Sequence, residues 1–297
     1  MKPFAAALLL ALVPLPAPAR ESQAKAELRW KWQKGQEAVY KSVQKTLLDL
    51  GGQPADQQMG YKYSMTVENV AESGEATITV KYLAVSAKAG PLLGNYDYDS
   101  EKDPEPGADS PASAAARMVG QSFTMKMTPV GIVTEVLGYD KVLDAVTKGA
   151  GSEAAAARAR LKQMLNSETF KGMMQQMAPP LPEEKVGKGD TWNTDFVVKM
   201  ALIGTMSFAM KSTMTDLKDA DAHIDQDITI ELKGGGKDNS LAGLVEIKGG
   251  KGKSTAVFST EKGCFLSQKS AIELTIVSDG QPLAMKMVNE LTLVSRK

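Results

Sequence analysis

The chain is poor in the residues on which most chemistry depends. It has one Cys and one His in 297 residues. A lone Cys forms no internal disulfide or thiolate zinc site, and a lone His cannot build a His-based metal cluster. Neither sign of charge is in excess, with 35 Lys and Arg against 35 Asp and Glu. Nothing therefore favours gripping a phosphate backbone, and no nucleic-acid partner is expected. Aromatic residues make up 6%, too few for an extended sugar-stacking surface. Beyond the N-terminal residues no run approaches the roughly 20 apolar residues that a membrane-spanning helix needs. What is present is a folding composition: 43% hydrophobic and 24% charged place the chain well away from disorder.

The N-terminus has the parts of an export signal. Lys2 supplies the positive charge, Phe4 to Val13 is an unbroken apolar run, and Ala17-Pro18-Ala19 is an Ala-x-Ala cleavage site. Pro14, Pro16 and Pro18 would break a buried helix. Residues 1–19 therefore read as a signal peptide cut between Ala19 and Arg20, with no Cys after the cut to carry a lipid anchor. The expected location is exported, either periplasmic or extracellular. Residues 20–297 are expected to fold as one β-rich domain without disulfides. Cys264 reads as a small buried hydrophobe rather than a reactive thiol.

Most of the chain alternates with period two, the mark of half-buried strands. Tyr61, Tyr63, Met65 and Val67 alternate with polar residues, as do Ala76, Ile78, Val80 and Tyr82. Turn residues at Gly51–Pro54, Glu72–Gly74, Gly234–Gly236, Gly249–Gly250 and Asp279–Gly280 separate about ten or eleven strands, mostly antiparallel hairpins. A charged, proline-containing loop is expected at 99–111. It leads into a short helix with Ser110 as N-cap, Pro111 at its first position and Gly120 past its end. Residues 139–177 switch to helical spacing. Tyr139, Val142, Leu143 and Val146 form one stripe, Glu153 to Leu165 an Ala-rich helix, and Phe170, Met173, Met174 and Met177 another stripe after the N-cap Ser167. The β segments on either side look like distant copies. Lys34-Gly35-Gln36 matches Lys188-Gly189-Asp190, and Thr128-Pro129-Val130-Gly131 matches Thr260-Glu261-Lys262-Gly263, which aligns Cys264 with Ile132.

Motifs for catalysis are weak. His223 is the one histidine, in Asp221-Ala222-His223-Ile224-Asp225-Gln226-Asp227, with Ile224, Ile228 and Ile230 on the opposite, inward face. Its acidic surroundings fit either a weak cation site or a solvated face paired with lysines. Ser42-Val43-Gln44-Lys45 has Ser-x-x-Lys spacing but lies on a strand and lacks the partner elements of acyl-transfer enzymes. Asp97 to Asp103 alternates acids as calcium loops do, without the Gly and distal Glu such loops require. No catalytic residue, metal or cofactor is expected, and the chain reads as non-enzymatic.

The unusual feature is methionine, 16 in all. Met206, Phe208, Met210 and Met214 share one strand face, Met125 and Met127 another, and Met285 and Met287 a third; Phe170, Met173, Met174 and Met177 share a helix face. Met is flexible and polarizable, so such faces suit apolar partners of varied shape, although they also suit an ordinary core. These twelve residues are the candidate lining of an apolar site. Trp30, Trp32 and Trp192 fit either a carbohydrate platform or anchors at strand starts.

The chain resembles a family of exported bacterial proteins of uncharacterised function. The resemblance rests on Leu28-Arg29-Trp30 with Lys34-Gly35-Gln36, Tyr98-Asp99-Ser100, Gln121-Ser122-Phe123-Thr124 with Pro129-Val130-Gly131, and Pro182 to Trp192. It implies a fold and an address, with no reaction. More loosely, long antiparallel strands with helices between two halves are similar to the open half-barrel of periplasmic lipoprotein carriers of the LolA type. The expected architecture is mainly β: a large curved antiparallel sheet or open half-barrel, with the helices packed on one face. Its halves are 27–137 and 183–297, with a helical insert at 138–180. The leading functional expectation is a non-catalytic protein holding an apolar small molecule or lipid chain between sheet and helices; the alternative is a structural or interaction module of the cell envelope with no cavity.

Overall fold

The computed structural model of the chain describes residues 24–49, 52–103, 105–106, 112–148, 158–159, 161–162, 165–200, 204–233, 245–278 and 281–297. The expected signal peptide with Ala19 and Arg20, the expected cap residues Ser110 and Pro111, most of the helix expected at 153–165, and the turns expected at Gly234–Gly236 and Asp279–Gly280 lie outside them.

The long alternating runs are long strands: β2 (Glu37–Asp49), β3 (Pro54–Val70), β4 (Ala76–Ala89), β6 (Ser122–Met127), β7 (Val133–Leu137), β9 (Thr191–Met200), β10 (Gly204–Lys218), β11 (Asp221–Lys233), β12 (Val245–Ser259), β13 (Cys264–Ser278) and β14 (Gln281–Arg296). Three further strands, β1 (Lys25–Ala26), β5 (Tyr96–Asp99) and β8 (Val186–Gly187), raise the number above that expected because they are too short to show alternation. The expected turn at Gly249–Gly250 is instead a bulge inside β12, where the ladder to β13 shifts register between Ile247 and Gly249. A Cβ on Gly250 would lie 2.5 Å from the Glu273 carbonyl, so the bare backbone lets the two strands approach and the pair continue. Short helices complete the chain: α1 (Ser113–Ala116), α2 (Tyr139–Val146) and α3 (Ser167–Met177).

All pairings are antiparallel, in the order β7-β6-β4-β3-β2-β14-β13-β12-β11-β10-β9, with β5 also on β4 and β1 paired separately with β8. The two halves of the chain are thus two meanders laid side by side. They join at β2 and β14, while β7 and β9, from the middle of the sequence, form the edges. The repeated openings are structurally alike. Gly35 N donates to Val67 O, whose own N–H donates to Gln36 O; Gly189 N donates to Met214 O, and Met214 N to Asp190 O. The segment at Trp30–Lys31 ties the two matching hairpins together, Trp30 N donating to Pro129 O and Lys31 N to Gly263 O.

The sheet is strongly curved without closing into a barrel. Eleven strands about 4.8 Å apart would place the edges roughly 48 Å from each other if flat, yet α3, 11 residues and so about 16 Å long, touches both edge strands. Thr169 Oγ1 donates to Lys199 O of β9, and Val133 N of β7 donates to Gln175 Oε1. The insert therefore runs from edge to edge across the inner face. Among the described residues no helix is long and apolar enough to cross a membrane.

One end of the inner face is a filled core. Trp30 and Trp32 stack with ring centroids 5.0 Å apart, and Trp30 meets Phe258 and Phe265 edge-on. Both tryptophans are buried and Trp192 packs half-buried on the same cluster, which makes them anchors rather than an open platform. Cys264 is also in this core, at 0% exposure, but Ile132 at the aligned position is 43% exposed, so the alignment is not the reason for the burial. Packing against the aromatic cluster is. A thiol reagent should label Cys264 only after denaturation; fast labelling of the folded protein, read by intact mass, would contradict this.

Candidate ligand cavity

α3 forms because its apolar residues recur at helical spacing and its first turn is capped. The cap is Asn166, one residue earlier than the expected Ser167: its extended backbone lets Oδ1 accept from Thr169 N at 2.9 Å. Gly172 lets the helix close on β9, since a Cβ there would lie 2.9 Å from Val198 Cγ2 and 3.1 Å from Val198 Cα. Gln175 fixes the other side. It accepts from Val133 N at 2.9 Å and donates through Nε2 to Gly131 O at 2.9 Å and Ala178 O at 2.7 Å.

The insert is anchored along the edges but stands off the middle of the sheet. Between them is a cavity of about 710 Å3. Its roof is Phe170, Met173, Met174 and Met177 of α3 with Val142, Leu143 and Val146 of α2. Phe196 and Val198 of β9, Met206, Phe208 and Met210 of β10, Ile228, Ile272 and Met287 form one wall, and Val80, Tyr82 and Phe123 the opposite one. Met173 and Met177 remain 40% and 36% exposed, as roof residues over a void do.

Eight of the twelve candidate residues line this space: Phe170, Met173, Met174, Met177, Met206, Phe208, Met210 and Met287. Met125, Met127 and Met214 do not. They are packed in the filled core, because the Met125–Met127 end of β6 and the turn-proximal end of β10 lie at the closed end of the sheet. Met285 packs against the Phe208–Leu274 cluster and is not part of the lining. Sequence reasoning missed the floor, where Ser42, Gln44, Gln268, Ser270, Asn289 and the phenols of Tyr61 and Tyr63 meet the cavity.

The lining is electrically quiet. Among the described residues its one acid, Glu290, pairs with Lys269 at 2.7 Å. Burial pushes the phenols of Tyr61, Tyr63 and Tyr82 up, Tyr82 to about 12, with a neighbouring phenol adding to each shift. They stay neutral hydroxyls at any ordinary pH.

The other candidates sit elsewhere. His223 projects from the exposed face of β11 while Ile224, Ile228 and Ile230 are buried. On that outer face Lys253 pairs with Asp227 at 2.9 Å and Lys188 with Asp216 at 3.3 Å, the lysine-paired arrangement. A hollow of about 510 Å3 beside His223 is bordered by Asp225, Lys269 and Glu290. The acids at 97–101 are likewise paired: Asp97 with Lys88, Asp99 with Lys102 and Glu101 with Lys62. Ser42 and Lys45 of β2 point to opposite faces, as strand neighbours three apart must, so they cannot act as a pair.

No curated protein matches the sequence. Among solved structures, one described as lipid–protein interactions in lipovitellin is similar in fold, with a TM-score of 0.55 at 9% identity, covering 90% of this chain and 26% of that one. The chain thus spans about a quarter of lipovitellin's length. DynF from the dynemicin biosynthesis pathway of Micromonospora chersina is covered over 92% of its length, and this chain over 97%, at 6% identity; its TM-score of 0.20 supports no conclusion. The model of a family of unknown function (DUF6263) matches residues 73–263, more than half of the chain, from the turn before β4 to the hairpin glycine after β12.

Proposed function

Because the chain belongs to DUF6263, a family of unknown function, an activity has to be read from the cavity, and we propose that the protein is an exported, non-catalytic carrier of an apolar ligand such as a lipid chain. The observation that supports this is the void itself. Ligand sites occupy roughly 300–1,000 Å3 and are lined mainly by apolar side chains with a few polar groups; about 710 Å3 under a methionine-rich roof is of that kind. A protein interior is otherwise filled to a density of about 0.74. The likeness to lipovitellin, described for its lipid–protein interactions, is in keeping with a lipid chain, as is the resemblance to half-barrel lipoprotein carriers. Export follows from the leader at residues 1–19.

A 16-carbon chain leaving water gains at most roughly 13 kcal/mol, at about 0.8 kcal/mol per CH2. Association and ordering of the roof remove much of that, so micromolar affinity is expected. Pyrene, an uncharged fluorescent hydrocarbon, is a suitable probe. Saturable micromolar binding to the folded protein is expected, and Met173→Asp with Met174→Asp should weaken it at least about tenfold, because two charges then face the bound hydrocarbon. Since Met173 is already 40% exposed, the strands should stay folded by circular dichroism. Absence of saturable pyrene binding to the wild-type protein would overturn the reading.

A further inference from the structure

The floor of the cavity is where the two meanders meet, and it is polar. Ser212, Gln226, Ser254, Ser270, Asn289 and Gln44 stand directly opposite one another across six consecutive strands, β10 to β14 and then β2. The next inward row on one side is apolar, with Met210, Ile228, Ile272 and Met287. A ladder of hydrogen-bonding groups on a buried face costs stability unless its members are partnered.

Here the partnering is incomplete. Gln226 Nε2 donates to Ser212 Oγ at 3.0 Å, while Gln226 Oε1 is buried with no partner among the described residues. Asn289 Nδ2 reaches Ser270 Oγ only at 3.4 Å, Gln44 Nε2 reaches Thr46 Oγ1 at 3.3 Å, and Gln268 Nε2, beside the row, reaches Ser254 Oγ at 3.4 Å. Their carbonyl oxygens have no protein partner among the described residues, and all three carboxamides line the cavity. The set offers both donors and acceptors. Among the described residues no Lys or Arg lines the cavity to neutralise a carboxylate or phosphate.

We infer that the cavity takes an uncharged amphipath, an apolar chain ending in an alcohol, amide or ester, with that end on Gln44, Gln268 and Asn289 and the chain along Met206, Phe208 and Met210. The inference rests on the cavity being a ligand site. An alcohol or amide donates to the free carbonyl oxygens and accepts from the carboxamide N–H groups. An ionised end group finds donors but no countercharge, and its burial is costly.

The test is competition against pyrene with the full chain at pH 8, where a carboxylic acid is ionised. 1-Dodecanol and dodecanoate share a chain and differ in charge. Dodecanol should displace pyrene at a concentration at least about tenfold lower than dodecanoate, because the ionised carboxylate has no countercharge in the lining. Gln44→Leu with Asn289→Leu removes two of the three carboxamides at the polar end of the site while nearly keeping its volume. This variant should hold pyrene within about twofold of wild type and bind dodecanol about tenfold more weakly. Equal displacement by dodecanol and dodecanoate, or unchanged dodecanol affinity in the folded variant, would overturn the inference while pyrene binding leaves the apolar-ligand reading standing. If the variant does not fold, the wild-type comparison decides alone. Loss of pyrene binding in the wild type would instead remove the reading on which the inference depends.

Discussion

Gln175→Ala should destabilise the protein by about 2–6 kcal/mol, the largest loss expected from any single substitution in the roof. Gln175 is buried, and its side chain is the bond partner of Val133 N–H and of the Gly131 and Ala178 carbonyls. Truncation leaves the first two groups buried at the edge of β7 without a replacement, and each orphaned group costs about 1–3 kcal/mol. Gln176, the next residue, is exposed, and Gln176→Ala should change stability by no more than about 0.5 kcal/mol. Urea unfolding of the two variants measures the contrast. Similar small losses would mean that α3 is held to β7 by something other than this carboxamide.

Gly263→Ala should cost about 2–5 kcal/mol, while Gly35→Ala should cost only about 1–2 kcal/mol. Both glycines have positive φ, +61° and +82°, and a Cβ in that region costs about 1–2 kcal/mol. Their surroundings separate them. A Cβ on Gly35 meets nothing within 4 Å, whereas one on Gly263 would lie 2.5 Å from Lys31 N and closer still to Lys31 Cβ and Cγ. The clash adds an overpacking cost of about 1–3 kcal/mol and pushes away the segment whose Lys31 N donates to Gly263 O. Since Trp30 lies in that segment and packs on Phe258 and Phe265, Gly263→Ala should also shift tryptophan fluorescence. Thermal melts with matched losses for the two variants would show that the contact with Lys31 is easily relieved.

The long strands and the helices α2 and α3 were legible in the sequence because each is a local pattern. Tyr63, Met65 and Val67 are buried where alternation places them, and α2 begins at Tyr139 as its spacing requires. The fold class follows from the same patterns. The site was legible only in part. The methionine faces of β6 and β10 look identical in sequence, yet Met125 and Met214 fill the core while Met206 and Met210 line the cavity. The difference is distance along the strand from the closed end of the sheet, which alternation does not encode. The polar row was invisible for a stronger reason. Its six members come from six strands and are at least 14 residues apart in sequence, roughly one strand and turn, so only the register of five ladders makes them neighbours.

The meeting of β2 and β14 in the middle of the sheet sets the order in which the molecule can be built. Partners there, such as Ala38 with Arg296 and Leu48 with Met285, come from opposite ends of the described chain. The hairpins on either side are local and form early, but the seam between them has to wait for the last strand. Until then β2 is an unpaired edge 13 residues long, and such edges invite pairing with other chains. A sheet whose central ladder joins such distant segments has the topology of a slow folder.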